Sequence, residues 1–139
     1  MTTLPESVRE LLAGGPLGHL VTVGADGSPQ VSCVWVGADG DELVVGSLGA
    51  REKLRNVRRD DRVVISFERD VMNEMGLREY LVVHGRAYVT EGGAAELLQR
   101  LAHAYIGPGV KFPPMDDPPA GYVLHVTPER LHGVGPWAG

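Results

Sequence analysis

The amino-acid sequence predicts a mainly β fold: a small antiparallel barrel with short helices between and beside its strands. Three observations predict it. The 139 residues include 19 Gly and 10 Pro, and that density of turn formers suits short strands and tight turns rather than a helical bundle. The motif Gly-Ala-Asp-Gly occurs at 24–27 and again at 37–40, each time between β-rich runs, which is a hairpin signal. The β-rich runs also follow one another along the chain, and closing such a series removes exposed strand edges. An open α+β sheet is the rival arrangement.

The elements are justified in turn. Leu4 to Ala13 reads as a helix, with Pro5 in its first turn and Leu4, Val8, Leu11 and Leu12 on one stripe. Gly14, Gly15 and Pro16 stop it. Gly18–Val23, Pro29–Val36 and Leu43–Val45 form an antiparallel meander about the two Asp-Gly turns. Ala50 to Asp60 reads as a helix with Leu54 and Val57 inward. Arg62–Phe67 is a fourth strand, Arg69–Arg78 is polar and irregular, and Tyr80–Thr90 is a long fifth strand. Ala94, Leu97, Leu98, Leu101, Ala104 and Tyr105 recur at helical spacing. The stretch 107–121 holds five of the ten prolines and reads as a loop. Tyr122–Thr127 is a sixth strand, and Leu131–Trp137 is a short apolar tail.

The totals bound the function. The length suits one domain spanning 1–139. Apolar residues make up 43%, charged residues 22% and aromatic residues only 6%, so the core is expected to be aliphatic. A net charge of −5 argues against general nucleic-acid binding, which needs a basic face. Cys33 is the one cysteine, so no intrachain disulfide or thiolate zinc cluster is expected. No segment reads as a signal peptide or a membrane helix, and the expected location is the cytoplasm.

The sharpest chemical feature is a basic knot. Arg51, Lys53, Arg55, Arg58, Arg59 and Arg62 are six of the 13 basic residues, in an otherwise acidic chain. The knot begins where a strand gives way to a helix through Gly49. A helix start offers free N–H groups and a positive dipole end, which favour a phosphate. Ser47 adds a hydroxyl, Arg51 a planar fork and Lys53 a point charge. Arg51 and Lys53 diverge by about 200° if both are helical, so they converge on one anion only in the opening turn. For Arg55, Arg58, Arg59 and Arg62 a solvated helix face competes with an anion site.

Other machinery is missing. There is no GxGxxG, P-loop, HExxH or GxSxG. His19, His84, His103, His125 and His132 are scattered and read as packing residues, with no metal site expected. Asp116 and Asp117 read as solvated turn residues. No catalytic residue is assigned. An anion site without side-chain catalytic machinery suits a protein whose chemistry is carried by a bound cofactor.

The order of features resembles the split β-barrel flavin-binding superfamily that includes pyridoxamine 5′-phosphate oxidase, and more narrowly its flavin/deazaflavin oxidoreductase branch. The resemblance rests on Pro29–Val36, on the hairpin ending Gly46-Ser47, on Gly49–Asp60 with its Arg-x-Lys-x-Arg-Asn segment, and on Arg62–Ser66. It runs from Leu4 to Trp137. It implies a six-stranded antiparallel split barrel and a homodimer with two cofactor sites at the subunit interface. It implies that Val34, Trp35 and Val36 lie along the tricyclic ring and that Ser47, Leu48 and Gly49 sit near ring and ribityl chain. It further implies that Arg51 and Lys53 bind phosphate and that Trp137 reaches the partner's cofactor. True pyridoxamine phosphate oxidases end in an arginine-bearing segment, whereas no arginine follows Arg130 here, which argues against a vitamin B6 phosphate substrate.

The cofactor expected from the narrower resemblance is the deazaflavin coenzyme F-420, with FMN as the alternative. F-420 adds an oligoglutamate tail that Arg55, Arg58 and Lys111 are placed to meet. The expected activity is hydride transfer from the reduced coenzyme to an unsaturated small organic substrate, with the 107–121 loop as a wall. The proton comes from solvent or from a side chain such as Tyr105. The alternatives are an FMN oxidoreductase, a non-catalytic carrier or sensor, and a haem-binding split barrel with His132 or His19 as axial ligand.

Overall fold

The computed structural model describes residues 3–137. Its elements run α1 (Glu6–Ala13), β1 (Gly18–Val23), β2 (Pro29–Val34), β3 (Gly37–Asp39), β4 (Glu42–Ser47), α2 (Glu52–Arg59), β5 (Arg62–Met72), β6 (Arg78–Glu91), α3 (Ala94–Tyr105) and β7 (Tyr122–Val134). Every strand pairing is antiparallel, in the order β2-β1-β5-β6-β7-β4-β3. This is a mainly β split barrel with few short helices, as the sequence predicts, but with two corrections. The sheet has seven strands rather than six, and its ladder does not close.

The extra strand comes from the second Gly-Ala-Asp-Gly. Gly37–Asp39 pairs with Glu42–Val44, so the turn is only Gly40-Asp41, with Gly40 at φ 60°. A two-residue hairpin of this kind needs a residue that tolerates positive φ. Asp41 then ties α1 to the turn: its Oδ1 accepts from the Leu4 N–H and pairs with Arg9 at 3.3 Å.

The open seam lies between β2 and β3, which are consecutive in the chain yet sit at opposite edges of the sheet. Trp35 and Val36 alone connect them, so the expected meander breaks here: β2 pairs with β1, whereas β4 pairs with β3 and β7. Tyr105 bridges this crossing. Its hydroxyl accepts from the Val36 N–H at 2.9 Å and donates to the Pro16 carbonyl at 2.6 Å. The backbone groups that leave the ladder are thus satisfied by a side chain.

Two other segments differ from the sequence reading. The stretch read as irregular, 69–78, is the protruding end of the β5–β6 hairpin. Asn73 caps its turn by accepting from the Met75 and Leu77 N–H groups. Arg69 and Glu79, and Arg78 and Asp70, pair across it. Its side chains are mostly exposed, so no apolar alternation marks it. The apolar tail is the second half of β7, which continues past Pro128 to Val134 beside β6. The register shifts opposite Pro128, where the missing N–H makes an irregularity expected.

The core is aliphatic, as the low aromatic content predicts. Leu20, Leu43, Leu54, Ile65, Leu81, Leu124 and Val126 are fully buried, with Phe67 the one large ring among the fully buried side chains. Each such side chain contributes about 1.5–3 kcal/mol of burial. Leu54 and Val57 hold α2 on the barrel, as expected. Asn56 is also buried and donates to Thr22 Oγ1 at 3.0 Å, while Arg59 donates to its Oδ1 at 2.7 Å. A smaller cluster of Val44, Leu97, Leu101 and Val123, with Trp35 and Tyr105 against it, seats α3 on the outside.

Candidate functional site

The site forms where β4 hands over to α2. Ser47 ends β4 and its hydroxyl donates to the Gly49 carbonyl at 2.6 Å, while the Arg51 N–H donates to the same oxygen at 3.0 Å. These bonds fold residues 47–51 into a tight turn. Gly121 packs against it: at φ 64°, a Cβ there would stand 2.4 Å from the Ser47 carbonyl oxygen. Arg51 is the N-cap of α2, in an extended conformation at φ −84°, ψ 170°. The N–H groups of Glu52 and Lys53 open the helix and have no acceptor within it.

A cavity of about 320 Å3 opens over this turn. Val34, Trp35, Leu48, Leu98 and Phe112 make its apolar side, and Ser47, Arg51 and Lys53 its polar side, with Cys33 and Gly46 completing the wall. Trp35 is stacked on Tyr105 at 5.3 Å between ring centroids and is met by Phe112 at 5.0 Å.

The electrostatics separate two cations from the rest of the knot. Arg55 donates to the Ala50 carbonyl, Arg58 lies 5.5 Å over the Tyr122 ring, Arg59 holds Asn56, and Arg62 pairs with Asp60. Arg62 holds the Asp60 carboxyl down to about 2. Among the described residues, the Arg51 and Lys53 side chains have neither an ion pair nor a hydrogen bond. Burial lowers the Lys53 ammonium below its ordinary value, and the charge of Arg51 lowers it further. Both cations face one cavity because Arg51 precedes the helix and Lys53 lies in its first turn. A half-buried, unpaired ammonium and an exposed, unpaired guanidinium beside a helix start are what a phosphate neutralises.

The structure thus brings together Val34, Trp35, Ser47, Leu48, Arg51 and Lys53. Val36 is fully buried in the core beside them, and Gly49 lies in the turn, where a Cβ would meet nothing within 4 Å. Val34 ends β2, and Trp35 and Val36 make the seam crossing. Trp137 is apart from this cavity. It is buried, its Nε1–H donates to the Tyr80 carbonyl at 2.8 Å, and Arg69 lies 5.1 Å over its ring. Lys111 pairs with Asp116 at 3.1 Å.

Cys33, Gly46, Leu98 and Phe112 were missed by the sequence reading. Strand periodicity carries a signal for Cys33, two residues before Trp35 on one face. Leu98 merges with the helical stripe of α3, and Phe112 lies in a loop without periodicity. The Tyr105 hydroxyl is engaged in the seam, and burial raises its pKa.

The histidines are less scattered than their numbers suggest. His84 and His132 stack at 5.1 Å with Nε2 atoms 3.0 Å apart, and Arg130 reaches His84 at 3.0 Å. Burial and the Arg130 charge lower the His84 pKa. His125 lies 3.2 Å from Glu42 and stacks on Tyr88. Among the described residues no group of three or more His, Cys, Asp or Glu side chains is placed to hold a metal ion.

The fold defines the class: a split β-barrel of the kind that holds flavin-type cofactors. The sequence profile of the family described as pyridoxamine 5′-phosphate oxidase matches residues 4–135, and the chain belongs to that family. No curated protein matches it. Among solved structures, a protein described as an F-420 reductase is 28% identical, covering 93% of this chain and 98% of its own, with a TM-score of 0.73. A conserved hypothetical protein of Mycobacterium tuberculosis is 22% identical over 96% of this chain and 85% of its own, with a TM-score of 0.73. General Stress Protein 26 of Bacillus anthracis is 17% identical over 93% and 92%, with a TM-score of 0.63. The last two share the fold.

Proposed function

We propose that the cavity binds coenzyme F-420 and that the protein is an F-420-dependent reductase. The observation that carries this reading is that the two unpaired cations, Arg51 and Lys53, line one cavity together with aromatic and aliphatic side chains. That donor set fits a ligand with a phosphate at one end and a flat ring at the other. Arg51, Lys53, Ser47 and the N–H groups opening α2 would hold the phosphate. Val34, Trp35, Leu48, Leu98 and Phe112 would hold the ring and keep water from it. The bound, reduced coenzyme supplies hydride to an unsaturated organic substrate. The 28%-identical F-420 reductase favours this cofactor over FMN. Exposed Arg55 and Arg58 lie on the helix that Arg51 caps, and in this reading they meet the coenzyme's acidic tail.

The functional unit in this reading is a homodimer. Val71, Met72, Met75, Leu77 and Tyr80 are exposed around the β5–β6 hairpin, and clustered exposed apolar side chains mark association surfaces. Trp137 packs at the base of the same hairpin.

Titrating the purified protein into oxidised F-420 tests the cofactor. Quenching or polarisation of coenzyme fluorescence at micromolar protein is expected. A preparation that is yellow from retained FMN and leaves F-420 fluorescence unchanged would overturn the reading in favour of an FMN oxidoreductase.

A further inference from the structure

We infer that Gln99 is a positioning residue: it fixes Phe112 in the cavity wall beside Trp35, so that helix α3 sets the shape of the ring compartment. The inference deepens the coenzyme reading and, for its effect on binding, rests on it.

Phe112 lies in the connection between α3 and β7, which has neither helix nor strand. Such a segment has few ways to place a side chain reproducibly. Gln99 supplies one. Its Nε2 donates to the Val110 carbonyl at 2.7 Å, and its Oε1 accepts from the Phe112 N–H at 3.0 Å. One side-chain amide thus takes the place of a neighbouring strand, satisfying a carbonyl and an N–H on either side of Lys111. The Lys111 side chain is directed away, to Asp116. The Phe112 ring then meets Trp35 at 5.0 Å and 52°, on the face of the cavity that Leu98 also lines.

Gln99 does not line the cavity. It acts through Phe112, so two replacements of Gln99 and one of Phe112 separate its effects. A methionine of similar length loses both bonds. A glutamate keeps the acceptor for Phe112 but sets a carboxylate against the Val110 carbonyl. An alanine at 112 removes the wall and leaves the latch nothing to position.

The test uses the full chain and the variants Gln99→Met, Gln99→Glu, Phe112→Ala and the double variant Gln99→Met/Phe112→Ala. Amide exchange is read by NMR on the ligand-free protein, and F-420 affinity by fluorescence. Gln99→Met is expected to speed exchange at Phe112 about tenfold while the β-sheet amides keep their protection. Gln99→Glu is expected to restore part of that protection. Gln99→Met and Phe112→Ala should each weaken F-420 about three- to tenfold, the scale of one aromatic contact. The double variant should be no weaker than Phe112→Ala alone, because both act through one ring. Unchanged Phe112 exchange in Gln99→Met overturns the inference, as do losses that multiply in the double variant. If the wild-type protein binds neither F-420 nor FMN, the coenzyme reading falls. The latch is then judged by Phe112 exchange and by Trp35 emission, which must shift in Gln99→Met.

Discussion

Lys53 shows how a single side chain couples stability to binding. It is half-buried, unpaired and pressed by Arg51, so in the ligand-free protein its charge is unfavourable. Lys53→Met is therefore expected to stabilise the ligand-free protein by about 0.5–1 kcal/mol in urea unfolding. The same change should weaken coenzyme binding by about 1.5–3 kcal/mol, the scale of a charged hydrogen bond. A loss of both stability and affinity would mean that the ammonium has a partner in the fold. The pH dependence follows with its sign. Between the lowered pKa of Lys53 and its ordinary 10.5, the folded protein binds fewer protons there than the unfolded chain. Its contribution to stability therefore rises with pH across that interval. A bound phosphate acts oppositely by holding the ammonium charged. Affinity should fall as pH rises through the lowered pKa, and Lys53→Arg should flatten that fall in a fluorescence titration. Arg51 and Lys53 were legible in the sequence because charge and position at a helix start both single them out. Phe112 and Gln99 were not, because neither charge nor periodicity marks a loop contact.

At the scale of elements, the site depends on how α2 and its preceding turn are anchored. Leu54 and Val57 are readable as the inward face of α2. Asn56 is not, since a buried polar residue in a basic helix looks like part of the solvated face. It fits because Thr22 on β1 accepts its amide. Asn56→Ala should cost about 1–3 kcal/mol of stability, leaving Thr22 short of a partner. Because α2 carries Lys53, coenzyme affinity should fall with it, and urea unfolding alongside binding checks both. Gly121 holds the other side of the turn. Gly121→Ala meets both a positive φ and the Ser47 carbonyl oxygen at 2.4 Å. A loss of about 1–3 kcal/mol is expected in thermal unfolding, with the turn at 47–49 displaced. The strands missed by the sequence reading share a cause. β3 is three residues long, and the outer halves of β5 and β7 are solvated on much of their surface. Alternation appears only where one face is buried.

For the whole molecule, the open seam and the proposed dimer are the features that organise function. The seam lies where the chain crosses from one sheet edge to the other, and Trp35 at that crossing is a cavity wall. Tyr105→Phe keeps the ring under Trp35 but leaves the Val36 N–H and the Pro16 carbonyl without the hydroxyl. A loss of about 1–3 kcal/mol is expected in unfolding, with a changed Trp35 emission. Sedimentation should show a species of twice the 14.9 kDa chain mass. Met72→Glu with Met75→Glu should move it toward the monomer, as charges do when placed in an apolar interface. A dimer unaffected by both changes would place the interface elsewhere.

By itself the sequence determined the mainly β class, the aliphatic core, three helices to within two residues at each end, and the basic knot at the β4–α2 turn. These are local quantities: turn chemistry, periodicity and charge, each expressed within a dozen residues. Tertiary structure alone decided which cations of the knot are free. The answer depends on how each side chain is turned once the helix is seated: Arg55, Arg59 and Arg62 find partners within five residues, and Arg58 finds the Tyr122 ring far along the chain. It also decided that the barrel stays open at β2 and β3, because Tyr105 satisfies the crossing backbone that a closed ladder would otherwise have paired. The apolar half of the cavity belongs to the same class of fact: Leu98 and Phe112 join Trp35 only because α3 and the connection after it fold back across the seam.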